Sequence, residues 1–217
     1  MKKTIWLLLM LPLGVFGQET DTRLWTGIGV QKKITPNVVL HFNAQLRTTN
    51  NFSDVGSVLG EIGIGYKLNK HWAVSGYYRF SERQKWDKET YSTIYKPFHR
   101  FYGNIEYDRK VSVLKLSYRL RYQNQFKDTE VGLESTKSYV RNKLELAYPN
   151  PSRFTPAISA DVFYKVGEEV DQIRYKVGVN YAIDKRNSIE LSGFKDYSLL
   201  PTNLNVYTIG LMYKLKL

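Results

Sequence analysis

Hydrophobic and polar residues alternate one by one along most of the chain. The segment VVLHFNAQLRT, residues 38–48, carries an apolar side chain at every second position, and polar residues such as His41 and Arg47 lie between them. Successive side chains of an extended strand point to opposite faces, so the segment is predicted to be a strand with one apolar face. A soluble barrel with an apolar interior and a membrane barrel with an apolar exterior are both consistent with this pattern.

The same two-residue period recurs through the chain and predicts about eleven strands. No segment with a helical period interrupts the series. The predicted strands lie at residues 24–31, 38–48, 57–68, 72–80, 100–107, 114–122, 140–148, 157–166, 173–181, 189–191 and 207–215.

The links between these segments alternate in length. Short links that are rich in turn residues occur at alternate junctions, whereas the polar links at residues 84–97 and 124–137 are longer. The short links are TPN at 35–37, LNK at 68–70, DRK at 108–110 and DKRN at 184–187. Membrane barrels combine short periplasmic turns with longer extracellular loops, so we predict an all-β fold, a single up-and-down antiparallel transmembrane β-barrel.

The strand number is adjusted by a parity rule. Bacterial single-chain barrels generally have an even number of strands. Eleven segments are visible in the sequence, and the nearest even numbers are 12 and 10. We therefore expect about 12 strands, with 10 as the alternative. A twelfth strand would lie in residues 18–23 or in a long loop, at residues 91–95.

The first residues have the parts of a secretory signal. Lys2 and Lys3 precede the apolar run IWLLLMLPLGVF, and small residues, Gly14 and Gly17, come before Gln18. We predict a cleaved signal peptide at residues 1–17 and an outer-membrane β-barrel at residues 18–217. Export of a barrel predicts the bacterial outer membrane as its location, with membrane lipid as a partner.

Composition excludes several other classes of protein. Beyond the N-terminus, no run of about 20 apolar residues is present, which argues against a membrane helix. The chain has 0 Cys, so it has neither a disulfide framework nor a thiolate metal site. Its net charge of +12 comes from basic residues that recur at strand period, not from one patch, and this distribution with the export signal argues against nucleic-acid binding.

Basic residues concentrate on the polar face of the predicted strands, whereas the apolar face carries aromatic residues toward the strand ends. If the apolar face contacts lipid, the polar face lines the lumen, and rings of Arg and Lys in a pore favour anions. The predicted basic lining consists of Arg47, Arg79, Arg100, Lys115, Arg119, Arg121, Arg141, Lys143, Arg174 and Lys176.

The leading functional prediction is a narrow, anion-preferring channel or small-solute porin that needs no cofactor or metal. In the alternative, the same charges pair with one another and plug the barrel, which then has a structural or binding role. The two adjacent pairs Arg119/Arg121 and Arg141/Lys143 would form a basic ladder. Their mutual repulsion requires acidic partners, for which Glu106 and Glu145 are candidates.

A lipid-modifying enzyme of the outer membrane is a further alternative. Such chemistry needs a serine and a histidine within hydrogen-bonding reach. His41 and His71 lie in a strand and a turn, and only His99, paired with Ser92 or Ser81, is a candidate; its spacing gives no support, so we expect no enzyme. The acidic runs GEEVD at 167–171 and KDTE at 127–130 are expected to be solvated and not to bind a metal.

The last strand carries the most specific motif. In TIGLMYKL, Thr208 is polar, Gly210 is a glycine, and Tyr213 and Leu215 are hydrophobic. The order and spacing of these four residues resemble the sorting signal on the last strand of outer-membrane barrels. This resemblance implies the barrel-insertion machinery as a partner, although the chain ends in Leu217 and not in Phe or Trp.

Taken with WTGIGVQKK, HFNAQLR and the terminal YKLKL, these features make the chain resemble a bacterial family of outer-membrane barrels known as a domain of unknown function, DUF2490. The resemblance covers the mature chain and implies the barrel fold. It implies no catalytic or binding residue, because the activity of the family is uncharacterised.

Overall fold

A computed structural model describes residues 20–88, 91–199 and 205–217, and within these residues the regular structure consists of eleven β-strands. The signal peptide predicted at residues 1–17 lies outside them. None of the described segments is a helix long and apolar enough to cross a bilayer. The strands are β1 Thr20–Lys33, β2 Val38–Thr49, β3 Asp54–Lys67, β4 Trp72–Asp87, β5 Ser92–Val111, β6 Leu114–Thr129, β7 Gly132–Ala147, β8 Phe154–Lys165, β9 Val170–Ala182, β10 Asn187–Ser198 and β11 Asn205–Lys216.

The strands form one closed up-and-down barrel. Each strand pairs antiparallel with its neighbours in sequence, and β1 and β11 pair in parallel to complete the circle, from Thr20 opposite Asn205 to Gln31 opposite Lys216. We call the end where β1 begins the upper end and the end where β11 finishes the lower end.

The expectation of 12 or 10 strands is wrong, and the count of eleven taken directly from the alternation is right. Residues 20–23 belong to β1 and residues 92–95 belong to β5, so neither segment is an additional strand. An even number is required only when the first and last strands close the barrel antiparallel. The parallel β1–β11 ladder removes that requirement.

The predicted alternation of short turns and long loops is also wrong. Residues 84–97 and 124–137 are mostly strand, because β4 and β5 pair as far as Asp87 opposite Ser92, and β6 and β7 pair as far as Thr129 opposite Gly132. These two hairpins project above neighbouring strands whose pairing ends earlier. The alternating pattern does not predict these hairpins. Strands of the wall alternate because one of their faces is apolar, and the projecting part of a hairpin has no such apolar face.

The lower turns contain local side-chain hydrogen bonds. Residues 108–110, predicted as a turn, belong to β5, and the chain reverses at Ser112, which has φ of 55°. In the turn at 183–186, the side chain of Asn187 and the backbone N–H groups of Arg186 and Asn187 donate to Asp184. These bonds hold the pKa of the Asp184 carboxyl below its ordinary value.

The apolar face of the wall points outward and the polar face points inward. Ile62 and Val177 on the outer face are 48% and 61% exposed, whereas Arg121 and Asp161 on the inner face are 7% and 4% exposed. Because the interior is polar, the soluble barrel with an apolar interior is excluded. The wall instead presents a hydrophobic surface around its circumference.

A glycine on the inner face makes room for an aromatic ring. A Cβ atom at Gly63 of β3 would lie 2.1 Å from Cδ1 of Tyr77 on β4. The Tyr77 ring in turn stacks on Tyr102 of β5, with ring centres 4.8 Å apart. The absent side chain therefore lets these aromatic residues lie flat against the wall.

The parallel closure predicts a specific cross-link. Leu24 and Ile209 face each other across β1 and β11, and strands about 4.8 Å apart lie within the Cα separation that a disulfide requires. The double substitution Leu24→Cys and Ile209→Cys is expected to oxidise spontaneously in the refolded protein, measured by thiol titration and non-reducing electrophoresis. The chain has 0 Cys, so no native thiol interferes.

In the matched control, Leu24→Cys is combined with Tyr213→Cys. Position 213 lies four residues below position 209 on β11, roughly 13 Å away along the strand. This control is expected to keep both thiols free. Cross-linking of the control pair in preference to the Leu24–Ile209 pair would contradict the parallel register.

Filling the space at Gly63 is expected to weaken the barrel. Gly63→Ala should lower the free energy of unfolding by about 1–3 kcal/mol, because the Tyr77 ring has to move. In the control Gly76→Ala, the new Cβ meets no atom within 4 Å, so stability should be unchanged or slightly higher. Urea unfolding in lipid vesicles measures both, and equal losses would argue against the packing of Tyr77 on Gly63.

Candidate functional site: the charged interior

The ten basic residues predicted for the lumen occupy inward positions of β2, β4, β5, β6, β7 and β9. Most of them are buried or half-buried within the barrel. Lys115 differs because it lies at the lower rim, where its ammonium pairs with Asp108 at 2.9 Å and both side chains are about half exposed.

The predicted basic ladder forms, and its acidic partners are Asp161 and the predicted Glu145, whereas none of the ion pairs among the described residues involves the other candidate, Glu106. Across β6 and β7, Arg119 lies opposite Lys143 and Arg121 lies opposite Arg141. Asp161 on β8 pairs with Arg141 and lies 3.5 Å from the guanidinium of Arg119. Its carboxylate is buried, so it neutralises charges that would otherwise repel in a medium of low dielectric constant.

Further carboxylates neutralise much of the remaining basic lining. Glu61 accepts from Arg79 at 2.7 Å. Asp196 receives two bonds from Arg174, at 2.6 and 2.8 Å, in the bidentate geometry that favours arginine. Lys143 bonds to Glu145 at 2.5 Å, as the ladder requires, and Lys176 and Lys214 share Glu190.

Four inward arginines differ from this pattern. None of the ion pairs within residues 20–88, 91–199 and 205–217 involves Arg47, Arg83, Arg100 or Arg121. Their hydrogen bonds and ring contacts are with neutral groups, so none of the described carboxylates pairs directly with these guanidinium groups. The amide oxygens of Gln45, Gln125 and Asn104 accept from Arg47, Arg100 and Arg121 respectively, and Arg83 lies over the Phe98 ring.

Three of these residues, Arg47, Arg83 and Arg100, form what we call the arginine cluster. Their charges are close enough to repel one another. The backbone arrangement explains this proximity, because Arg47 and Arg83 flank Ser57 in one cross-strand row. The Nε atom of Arg100 is buried and has no hydrogen-bond partner among the described groups, so the cluster retains an unused donor.

Aromatic rings and arginines meet across the interior in what we call the aromatic–arginine bridge. The Arg47 guanidinium lies 3.6 Å from the centre of the Trp25 ring on β1. Arg174 on β9 lies 5.1 Å from that ring, 5.4 Å from Phe163 and 4.5 Å from Phe194. These cation–π contacts connect β2 to β8 through side chains and occupy part of the cross-section.

Three interior residues were missed by sequence reasoning because the predicted strands were too short. Arg83 lies beyond the predicted end of β4 at residue 80, and Phe194 and Asp196 lie beyond the predicted end of β10 at residue 191. The alternation does continue through Ser81 and Arg83. Past residue 191, Ser192 and Gly193 interrupt the apolar pattern, so the sequence carries no signal for Phe194 and Asp196.

The serine–histidine pairs considered for catalysis do not form. His99 points outward, and its ring contacts the hydroxyl of Tyr78 at 2.7 Å and the carboxylate of Asp128 at 3.1 Å. Ser81 is buried on the inner face, opposite Phe98. Ser92 is seven residues along β5 from His99, roughly 23 Å away in an extended strand.

No group of three or more His, Cys, Asp or Glu side chains able to hold a metal ion occurs in the described part of the chain. Residues of the acidic run at 167–171 have other contacts. Glu168 pairs with Lys165, and Asp171 accepts from the Tyr139 hydroxyl at 2.8 Å.

The four motif residues of the last strand lie in β11, which closes the barrel against β1. Thr208 and Gly210 face inward and are buried. Tyr213 and Leu215 face outward, and the Tyr213 hydroxyl donates to Asn187. Recognition of this strand by the insertion machinery remains a prediction.

Two solved barrel structures are similar to the chain. The β domain of the Bordetella autotransporter Brka aligns with a TM-score of 0.44 and 8% identity, over 83% of this chain and 82% of that one. An anion-selective porin from Comamonas acidovorans aligns with a TM-score of 0.37 and 14% identity, over 81% of this chain and 54% of the porin. Comparison with proteins of curated function gives no significant match.

The family comparison covers most of the molecule. The model of the family described as protein of unknown function (DUF2490) matches residues 22–207, from the third residue of β1 to the third residue of β11. This range includes all ten basic residues predicted for the lumen and ends before the inward residues Thr208, Gly210 and Lys214 of β11. The chain therefore belongs to the DUF2490 family.

Proposed function

We propose that the protein spans the bacterial outer membrane and passes small anions through its basic interior. The observation that carries this proposal is the arginine cluster, three interior guanidinium groups without a carboxylate partner among the described residues. Apart from Arg121, which bonds to Asn104, the other interior charges discussed above are paired with carboxylates. Arg121 is buried, so an entering anion would interact mainly with Arg47, Arg83 and Arg100.

The outer wall supports the membrane location. Its wall positions are predominantly apolar, and aromatic rings lie toward both ends: Trp72 and Tyr107 at the lower end, Tyr175 and Tyr197 at the upper end. Closure of the strands leaves no open sheet edge, which is the condition for placing strands in hydrocarbon. Aromatic belts at two interfaces around an apolar band are typical of outer-membrane barrels.

The electrostatics of the arginine cluster favour anions over cations. A unit charge about 4 Å from a guanidinium interacts by about 4 kcal/mol at an effective dielectric constant near 20, attractive for an anion and repulsive for a cation. The cluster lies toward the upper end, since Arg47 is two residues from the end of β2. It would therefore act early on solutes that enter from that end.

A closed interior is the second candidate, and the aromatic–arginine bridge favours it. Arg174 contacts rings from β1, β8 and β10 while held by Asp196, so side chains from several strands meet inside the barrel. A barrel of about eight strands is filled by its side chains, and one of sixteen or more holds an aqueous channel. Eleven strands lie between these sizes.

Removing the cluster charges is expected to reduce anion preference. Refolded protein in a planar bilayer under a salt gradient should give a reversal potential that indicates anion selectivity. The double variant Arg47→Gln and Arg100→Gln should shift that potential toward zero, because two uncompensated charges are lost. Lys115→Gln is the matched control, since this rim lysine pairs with Asp108 and its loss should leave selectivity nearly unchanged.

The conductance measurement separates the two candidate functions. A folded wild-type barrel without conductance would reject the channel and support the closed interior. Conductance with unchanged anion selectivity in the double variant would reject the arginine cluster as its cause.

Loss of Asp161 is expected to affect stability and, in a channel, selectivity. Asp161→Asn leaves Arg119 and Arg141 without their shared carboxylate, so the free energy of unfolding should fall by about 3 kcal/mol. The freed charges should also increase anion selectivity. Asp108→Asn, which removes an exposed partner, should cost less than about 1 kcal/mol. Urea unfolding in vesicles compares the two, and similar losses would contradict the structural role of Asp161.

A further inference from the structure

The outer wall of β7 to β11 contains a long apolar depression of about 720 Å³. Its upper border is one row of directly opposed residues that crosses five strands. From β11 to β7 these residues are Tyr207, Lys195, Tyr175, Ala160 and Leu144.

The lower border is the next outward row on the same strands. It consists of Ile209, Gly193, Val177, Ile158 and Leu146. Gly193 has no side chain, and a Cβ placed there would meet no atom within 4 Å. Gly193 therefore leaves the wall uncovered between larger neighbours on the floor of the depression.

A cation stands at one end of this depression. Lys195 is near the upper end of β10, and its Nζ atom bonds to the Tyr207 hydroxyl at 3.2 Å. The same Nζ lies 4.6 Å from the centre of the Tyr197 ring and 4.9 Å from that of Tyr207. The two tyrosines hold the ammonium group at the wall without neutralising it, so it remains available to an anion.

A second depression on the opposite wall provides a comparison. It occupies about 510 Å³ across β1 to β4 and is also formed around small outward residues, Ala44 and Gly60. Its lining includes Phe42, Ile62 and Tyr78 but no basic side chain. The two depressions thus have similar construction and differ in the presence of a cation.

We infer that the depression on β7 to β11 is a lipid site, which holds an acyl chain along its apolar floor and a lipid phosphate at Lys195. This inference rests on the proposed membrane location. Five strands with neighbours about 4.8 Å apart span roughly 19 Å, more than the roughly 15 Å that one acyl layer contributes to the hydrocarbon core. The site therefore accommodates a chain with its headgroup at the upper end, where the ammonium is located.

Charge complementarity identifies the headgroup. A phosphate has the acceptor oxygens that an ammonium binds in a charge-assisted hydrogen bond, and this bond strengthens near an apolar, weakly hydrated surface. Tyr207 and Tyr197 provide hydroxyl groups beside Lys195 that can also face the interface.

The test uses refolded protein in detergent, with bound lipid counted by native mass spectrometry. The probes are phosphatidic acid, diacylglycerol with the same acyl chains, and inorganic phosphate. The wild type is expected to retain phosphatidic acid more strongly than diacylglycerol, and inorganic phosphate should not compete. Lys195→Met should reduce retention of phosphatidic acid at least about tenfold. Gly193→Leu should reduce retention of both lipids, since the new side chain fills the floor.

Two control variants match these changes. Gly60→Leu fills the second depression, and Lys32→Met removes an outward lysine at the lower end of β1. Both should retain phosphatidic acid as the wild type does. Equal retention by the wild type, Gly193→Leu and Lys195→Met would overturn the site, as would competition by inorganic phosphate or an equal loss in Gly60→Leu.

The outcome is independent of conduction. Selective lipid retention by a barrel without conductance would support the lipid site and reject the channel. Conductance without selective retention would reject the lipid site alone. Failure of the protein to fold in detergent or insert into vesicles would reject the membrane location and the lipid site together.

Discussion

Pairing of every strand with two neighbours is the constraint on which the rest of this structure depends. A wall whose outer face is hydrophobic cannot leave a row of backbone N–H and C=O groups unpaired in an apolar medium, because each unpaired group costs free energy. With eleven strands, the first and the last run in the same direction, so closure is possible only through the parallel β1–β11 ladder. The position of every inward and outward side chain follows from that closure.

Closure creates an electrostatic problem in the interior. Basic side chains that point inward from adjacent strands are brought together, and the low dielectric of the wall increases their repulsion. Buried Asp161, bonded to Arg141 and near Arg119, resolves it on β6 to β8, while Glu61 and Asp196 do so elsewhere. The arginine cluster is left with neutral partners. The balance between paired and unpaired charge, and not the total basic content, therefore determines what the interior can bind.

The two faces of the wall use small residues for different purposes. Inside, Gly63 lets Tyr77 lie flat and stack on Tyr102, which fills the interior close to the wall. Outside, Gly193 leaves an unfilled depression among apolar neighbours. A glycine in a strand thus permits close packing where an aromatic neighbour covers it, and forms a depression where none does.

The alternation of residues by itself determined the β class, the eleven segments and the assignment of polar residues such as Arg121 and Arg141 to one face. This information is local, because neighbouring side chains of a strand point to opposite sides whatever the rest of the chain does. The even number of strands expected from parity was wrong, since the direction of closure is not encoded in any single segment. The partners of Arg141 and Arg174, the extended hairpins and the outer depression were decided only by the tertiary structure. Each of them depends on the register between strands distant in sequence, which sets the residues that become neighbours.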